Sequence, residues 1–110
     1  MPQLSQRHCE AMKAGVAPLE RARAEQMLSE VKGWALSEDA KELSQTFKFK
    51  NYYETMAFVN AVAWIAHRED HHPDIEVGYN RCQIRYSTHS IGGLSANDFI
   101  CAARIDTLLD

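Results

Sequence analysis

Three of the five histidines in this chain lie within six residues, in the sequence H-R-E-D-H-H-P-D at positions 67–74. The imidazole side chain exchanges protons near neutral pH because its unperturbed pKa is about 6.5. A nearby carboxylate such as Asp70 would orient the ring and select its tautomer. General acid–base catalysis of this kind contributes roughly 10²- to 10⁴-fold in rate. The cluster therefore favours proton-transfer chemistry.

The same histidines permit two other interpretations. His67 and His71 are four residues apart, which is metal-ligand spacing on one face of a helix, and His89 could supply a third ligand. The zincin pattern requires Glu directly after the first histidine, and Arg68 stands there, so we predict no metal. Alternatively, histidines at a helix C-terminus interact favourably with the helix dipole and pair with neighbouring acids without any catalytic role.

No other motif competes with the histidines. The sequence has neither a Gly-rich phosphate loop nor a G-x-S-x-G nucleophile elbow. Cys82 and Cys101 fall on the apolar faces of a predicted strand and a predicted helix, so we expect both to be packing residues. The three cysteines form no C-x-x-C pair, which argues against a disulfide framework or a cysteine zinc site and favours a reducing compartment.

Composition limits the class of protein further. A chain of 110 residues with 45% hydrophobic and 25% charged residues fits one globular domain. Twelve Lys and Arg against 15 Asp and Glu give a net charge of −3, so no nucleic-acid partner is expected. No signal peptide or membrane-spanning apolar run is visible, so we expect a cytoplasmic protein without a membrane partner.

Hydrophobic periodicity predicts the first elements. Residues 1–18 show no clear period and are expected to form a loose N-terminal extension to one domain over residues 19–110. A helix is expected from about Pro18 to Gly33, a typical C-cap residue. Its apolar stripe consists of Ala24, Met27, Leu28 and Val31. Residues 34–36 predict a short strand, and alternation over residues 43–49 predicts a second strand.

A central helix is expected from the N-cap Asn51 to about Glu69, because Pro73 and its effect on the preceding residue oppose further helix. Its core stripe consists of Phe58, Val59, Val62, Ile65 and Ala66. Its opposite side consists of Tyr53, Met56, Asn60, Trp64, His67 and, if the helix continues, His71. A helix that is apolar on nearly all sides is expected to be covered by its own sheet and by a partner subunit.

The C-terminal part predicts a β-hairpin and a last helix. Ile75 and Val77 alternate before a turn at residues 78–80, and alternation resumes over residues 82–86. Ser95 and Asp98 have the spacing of a capping box. The core face of the last helix is predicted to be Cys101, Ala102, Ile105, Leu108 and Leu109. The order α-β-β-α-β-β-α predicts an α+β fold, with a single four-stranded antiparallel sheet and helices packed on one face.

Several motifs of the chain resemble those of the pterin-4a-carbinolamine dehydratases. The shared motifs are E-D-H-H-P at 69–73, Y-N at 79–80, S-T-H at 87–89, G-G-L at 92–94 and Asp98. The likeness extends upstream to G-W at 33–34 and F-K-F-K-N-Y at 47–52, and downstream to A-A-R-I-D at 102–106. It covers roughly residues 19–109, and H-H-P followed by T-H and G-G-L is its most specific part.

The resemblance implies an enzyme that removes water from 4a-hydroxytetrahydropterin to give quinonoid dihydropterin. This reaction regenerates the cofactor of aromatic amino acid hydroxylases and needs no metal or organic cofactor. The resemblance also implies homodimers or homotetramers, and a hydroxylase is a further candidate partner. Some relatives assist transcription factors or hydroxylases by dimerising with them, so the alternative is a regulatory module that binds a protein partner.

The resemblance also implies site residues. The family's three catalytic histidines are matched by His71, His72 and His89. In the family's mechanism the first or third protonates the departing hydroxyl, and the second helps to bind and deprotonate the pterin. The positions that line the pterin pocket are matched by Asp70, Ser87, Thr88, Ser90 and Asp98. The capping box explains the last of these equally well.

Two positions depart from the family pattern. Many relatives have Glu where this chain has His67, so any orienting role of that Glu would pass to Asp70 or Glu69 or be lost. Some relatives have an aromatic residue at the position of Ile75, which affects the shape of the pocket on that side.

Overall fold

The computed structural model describes residues 3–110. In chain order its elements are helix α1 (Arg21–Leu28), strands β1 (Ala35–Leu36) and β2 (Leu43–Lys48), helix α2 (Tyr52–Glu69), strands β3 (Asp74–Val77) and β4 (Arg81–Tyr86), and helix α3 (Ala96–Asp106). Single 3₁₀ turns cover Leu4–Gln6, His89–Ile91 and Thr107–Leu109. This is the predicted order, and the α+β fold is confirmed. Within residues 3–110 no helix is long and apolar enough to cross a bilayer.

The four strands form one antiparallel sheet in the order β1-β2-β4-β3. β2 pairs with β4 from Leu43 opposite Tyr86 to Lys48 opposite Arg81. Alternate residues of β4 are buried, and in β2 the two apolar residues are buried while the polar residues between them are not. The buried sheet residues are Leu43, Phe47, Cys82, Ile84 and Tyr86. They share one core with apolar residues from all three helices.

Helix α2 begins and ends where local sequence chemistry predicts. The side chain of Asn51 accepts a hydrogen bond from the Glu54 N–H at 2.9 Å and caps the first turn. Asp70 ends the helix in the left-handed conformation, with φ of 51°. His71 therefore lies beyond the helix and does not extend the face that carries His67.

Helix α3 begins at the predicted capping box. In it, the side chains of Ser95 and Asp98 each accept a hydrogen bond from the backbone N–H of the other residue. Cys101, Ala102 and Ile105 are buried as predicted. The prediction was wrong for Leu108 and Leu109, whose exposed fractions are 40% and 54%. The α-helix ends at Asp106, and the 3₁₀ turn that follows changes the helical period and turns both leucines outward.

The N-terminal segment, residues 3–18, differs from the loose extension that the sequence suggests. Leu4 is buried in the core, and the backbone N–H of Cys9 donates to Glu69 Oε1 at 2.7 Å. The Asn97 side chain accepts from the Glu10 N–H at 3.0 Å and donates to the Glu10 carbonyl oxygen at 2.6 Å. These side chains satisfy the backbone of an irregular segment, a kind of pairing that leaves no periodic signal in the sequence.

Candidate active site

The buried carboxylate of Asp98 joins three elements around His71. Asp98 is inaccessible to solvent, and its Oδ1 lies 2.6 Å from His71 Nε2. Its Oδ2 accepts hydrogen bonds from the Thr88 hydroxyl at 2.8 Å and from the Ser95 N–H at 3.0 Å. Asp98 is therefore both the acidic member of the capping box of α3 and the partner of His71.

The surroundings of His71 define its protonation. Its side chain is 12% exposed, and its ring stacks on Tyr86 with centroids 5.7 Å apart and planes 9° apart. Burial lowers the pKa of His71, but the hydrogen bond and charge of Asp98 outweigh burial, and the net shift is upward. When the carboxylate is ionised it can only accept hydrogen bonds, so this contact then needs a hydrogen on Nε2 and leaves Nδ1 as the nitrogen that can exchange a proton.

His72 has a different environment although it is the next residue. Its side chain is exposed, and its Nδ1 lies 3.3 Å from the carbonyl oxygen of Pro73, to which it can donate. That bond would leave Nε2 free to accept a proton. The His72 side chain is thus at the surface, whereas that of His71 is largely buried.

His89 begins the 3₁₀ turn that follows Thr88 and is also exposed. The Thr88 N–H donates to the Gly93 carbonyl oxygen at 2.8 Å, and Gly92 closes the turn with φ of 70°. A cleft of about 340 Å³ opens beside this turn. It is lined by Ser37, Asp39, Lys41, Glu42, Ser87, His89, Gly92 and Gly93. A cleft of about 480 Å³ near Leu4 contains none of the predicted site residues.

Two other predicted pocket residues, Asp70 and Ser90, are exposed. Asp70 is exposed at the end of α2, where its charge helps to raise the pKa of His71, after the larger opposing effect of burial and the contribution of Asp98. The Ser90 hydroxyl donates to the carbonyl oxygen of Met12 at 2.8 Å, so this side chain contacts the N-terminal segment.

The side chains of His67 and Glu69, near the end of α2, contact partners other than His71. His67 is exposed and packs beside Trp64, with ring centroids 5.3 Å apart. The Glu69 carboxylate is buried and lies 3.0 Å from His8 Nδ1 and 3.7 Å from Arg104 Nε, in addition to its bond with the N-terminal segment. Of the two acids that could replace the family Glu, Glu69 is therefore engaged elsewhere.

Sequence reasoning did not assign a site role to Tyr86 or Ser95. Tyr86 was predicted only as a buried strand residue, yet its ring supports His71. The Ser95 hydroxyl lies 2.7 Å from the Thr88 hydroxyl, which links the cap to the carboxylate network. The capping-box pattern beside S-T-H was the available signal for Ser95. Within the described residues 3–110, no group of three His, Cys, Asp or Glu side chains is arranged to hold a metal ion.

The structure thus combines an α+β domain with a buried His71–Asp98 pair, whose imidazole can take up and release a proton. The family model for pterin 4 alpha carbinolamine dehydratase matches residues 17–108, and the chain belongs to this family.

Similar proteins carry names of the same kind. The chain is 57% identical over 107 residues to a Nitrosomonas eutropha protein named "Putative pterin-4-alpha-carbinolamine dehydratase", covering 96% of this chain and 93% of that one. A Stenotrophomonas maltophilia protein of the same name is 55% identical over 107 residues, covering 97% and 92%.

Solved structures share the fold. A transcriptional coactivator/pterin dehydratase from Brucella melitensis superposes with a TM-score of 0.80 and 26% identity, covering 84% of this chain and 99% of that one. A pterin dehydratase-like protein described as a RuBisCO assembly factor in the alpha-carboxysome gives a TM-score of 0.60 and 26% identity, covering 69% and 88%.

Proposed function

We propose that this protein dehydrates 4a-hydroxytetrahydropterin to quinonoid dihydropterin, and so regenerates the pterin cofactor of aromatic amino acid hydroxylases in the cytoplasm. The observation that carries the proposal is the 2.6 Å contact between His71 and the buried Asp98. This contact sets the orientation of an imidazole whose pKa is raised. Such a ring can hold a proton at neutral pH and deliver it to a poor leaving group.

In the proposed reaction the C4a–O bond breaks as an imidazolium protonates the hydroxyl, and the oxygen departs with the bonding electrons as water. The nitrogen next to C4a supplies the electron pair of the new double bond, and the resulting cation loses its N–H proton to a base. His71 or His89 is the acid, and His72 is the base and a binding residue. Asp98 acts through His71 as a positioning residue, because its carboxylate is inaccessible to solvent.

The remaining predicted residues would contact the pterin at the surface. Ser87 lines the cleft beside His89, and the backbone of Thr88 leads into it. Asp70 and Ser90 would complete the pocket through main-chain groups, since the Ser90 hydroxyl is bonded to Met12.

A dehydratase assay with synthetic 4a-hydroxytetrahydropterin tests this proposal. We expect the chelator-treated protein to accelerate dehydration, and the double variant H71A/H89A to lose roughly 10²- to 10⁴-fold in rate. The exposed His67 supplies the matched control, H67A, which should retain the rate of the unaltered protein. An unchanged rate in the double variant, with an unaltered circular dichroism spectrum, would disprove the catalytic assignment.

The pH profile separates positioning from a purely structural role of Asp98. Asp98 raises the pKa of His71, so D98N should move the alkaline limb of the dehydration rate to lower pH. A variant that lost only stability would keep the limb where it is in the unaltered protein.

We also propose that the protein forms a homodimer or homotetramer and that it can bind a protein partner. Tyr53 and Trp64 on α2 are 80% and 60% exposed, which suits coverage by another subunit. The alternative function is a regulatory module, favoured by the coactivator and assembly-factor titles of the two structural neighbours. Two results together would favour the module. The unaltered protein would show no dehydratase activity, and a purified aromatic amino acid hydroxylase would bind it and H71A/H89A equally.

A further inference from the structure

Two cysteines from opposite ends of the chain meet behind the His71 site. Cys9 Sγ and Cys101 Sγ are 3.5 Å apart, although 92 positions separate them in the sequence. The Cys101 thiol also lies 4.0 Å from the carbonyl oxygen of His71. The third cysteine, Cys82, is buried in β4.

The position of Cys9 is set by backbone bonds on both sides of its side chain. Its own N–H is held by Glu69, and the N–H and carbonyl of the next residue are both held by Asn97. The Cys9 thiol further contacts the Asn97 carbonyl oxygen at 3.6 Å. The sulfur is therefore directed at Cys101 by a built contact between the N-terminal segment and the first turns of α3.

The two thiols differ in access and in acidity. Cys9 is partly exposed, whereas Cys101 is inaccessible. The hydrogen bond from Cys9 lowers the pKa of the Cys101 thiol against the opposing effect of burial, and positive charge on His71 lowers it further. The same thiol pair raises the pKa of Cys9, so we expect a first reaction at Cys9 to be slow and to speed up at alkaline pH.

We propose that Cys9 and Cys101 form an oxidation site, at which hydrogen peroxide converts the two thiols to an intramolecular disulfide. The Cys9 thiolate attacks the peroxide O–O bond, which breaks to give a Cys9 sulfenic acid and hydroxide. The Cys101 thiolate then attacks the Cys9 sulfur, forming the S–S bond and displacing a second hydroxide. The two thiol protons convert both hydroxides to water, and the two electrons lost by the sulfurs reduce the peroxide.

The bond needs only a small movement. Disulfide sulfurs are about 2.0 Å apart, so the two atoms must approach by about 1.5 Å from their present 3.5 Å separation. Rotation of the Cys9 side chain, which belongs to an irregular segment, can supply this. The product would fasten the N-terminal segment covalently to α3 next to His71. This inference depends on the sulfur geometry and not on the proposed dehydratase activity.

Peptide mapping provides the test, because trypsin places the three cysteines in different peptides. They are residues 8–13 with Cys9, residues 82–85 with Cys82, and residues 86–104 with Cys101. The reduced full-length protein is treated with hydrogen peroxide at mildly alkaline pH and digested without reductant. We expect a cross-linked product of residues 8–13 and 86–104, a mass decrease of two hydrogens in the intact chain, and loss of two of the three free thiols.

Matched variants identify the pair. C82S should form the same cross-link, and C9S and C101A should not. The unaltered oxidised protein should also unfold at a higher temperature than the reduced protein, and reductant should remove the difference, because a cross-link restricts the unfolded chain. Retention of all three thiols, a cross-link that includes Cys82, or disulfides formed only between chains would overturn the proposal.

Discussion

His71 and His89 have opposite surroundings although both are connected to the same buried network. His71 is 12% exposed, stacked on an aromatic ring and bonded to a carboxylate. His89 is exposed on a short turn that follows Thr88, one of the hydroxyl donors to that carboxylate. The protein therefore holds one imidazole in a set orientation and leaves the other exposed beside a cleft.

The difference identifies the part of the proposed site that also stabilises the fold. Asp98 accepts bonds from a histidine, a hydroxyl and a backbone N–H, so its charge is buried with partners on both oxygens. Changes on the His71 side should therefore affect both folding and chemistry, whereas changes at His89 should affect chemistry alone.

The largest effect is expected from removing the buried carboxylate. D98A deprives His71, Thr88 and the Ser95 N–H of a shared acceptor, and loss of one partner from a buried ion pair costs about 3–5 kcal/mol. Urea denaturation should show this decrease in the free energy of unfolding. D98N keeps an acceptor oxygen and the cap but removes the charge, so its free energy of unfolding should fall less than that of D98A. The exposed Asp74 supplies the control, D74N, and comparable destabilisation by D74N would contradict the distinction between the two regions.

A smaller effect is expected from the two helix caps. S95A and N51A each remove an N-cap side chain and should each lower stability by about 0.5–2 kcal/mol. The Ser95 hydroxyl lies 2.7 Å from the Thr88 hydroxyl in the network around Asp98, whereas the Asn51 side chain bonds to Glu54, so S95A should also lower the rate of dehydration and N51A should leave it unchanged. Equal rates in the two variants would show that the cap and the site are independent.

The smallest expected effect is a dependence of stability on pH. The folded-state pKa of His71 lies above its unfolded value of about 6.5, because Asp98 outweighs the larger single effect of burial. Protonated His71 therefore stabilises the fold fully below about pH 6.5, and this contribution is lost as pH rises through the folded-state pKa. Thermal unfolding, measured from about pH 6 to about pH 9, should show this decrease in the stability of the unaltered protein.

Two variants isolate that contribution. H71Q should lose less stability than the unaltered protein over the same rise in pH, and H89Q should behave as the unaltered protein does. A pH dependence that survives in H71Q would assign the titration to another group.

Local chemistry accounts for what could be predicted from sequence. Asn51 and Ser95 cap helices through residues two or three positions away, so both starts were predictable, and strand alternation located Tyr86 on the buried face. The bond from His71 to Asp98 spans 27 positions and depends on tertiary packing, so residue types alone left Asp98 with two equal explanations.

Elsewhere the sequence signal was weak or misleading. The docking of Cys9 on Glu69 uses a backbone donor of an irregular segment and has no periodic signature. Leu108 and Leu109 continue the apolar spacing of α3, but they lie in a 3₁₀ turn, so the same spacing leaves both side chains exposed.

The N-terminal segment binds partners that are made at the other end of the chain. Its contacts with Asn97 and Arg104 span 87 and 97 positions. During synthesis, which proceeds from the N-terminus, these contacts cannot form until the last helix has left the ribosome. The N-terminal segment can therefore reach its native position only after α3 has been synthesised.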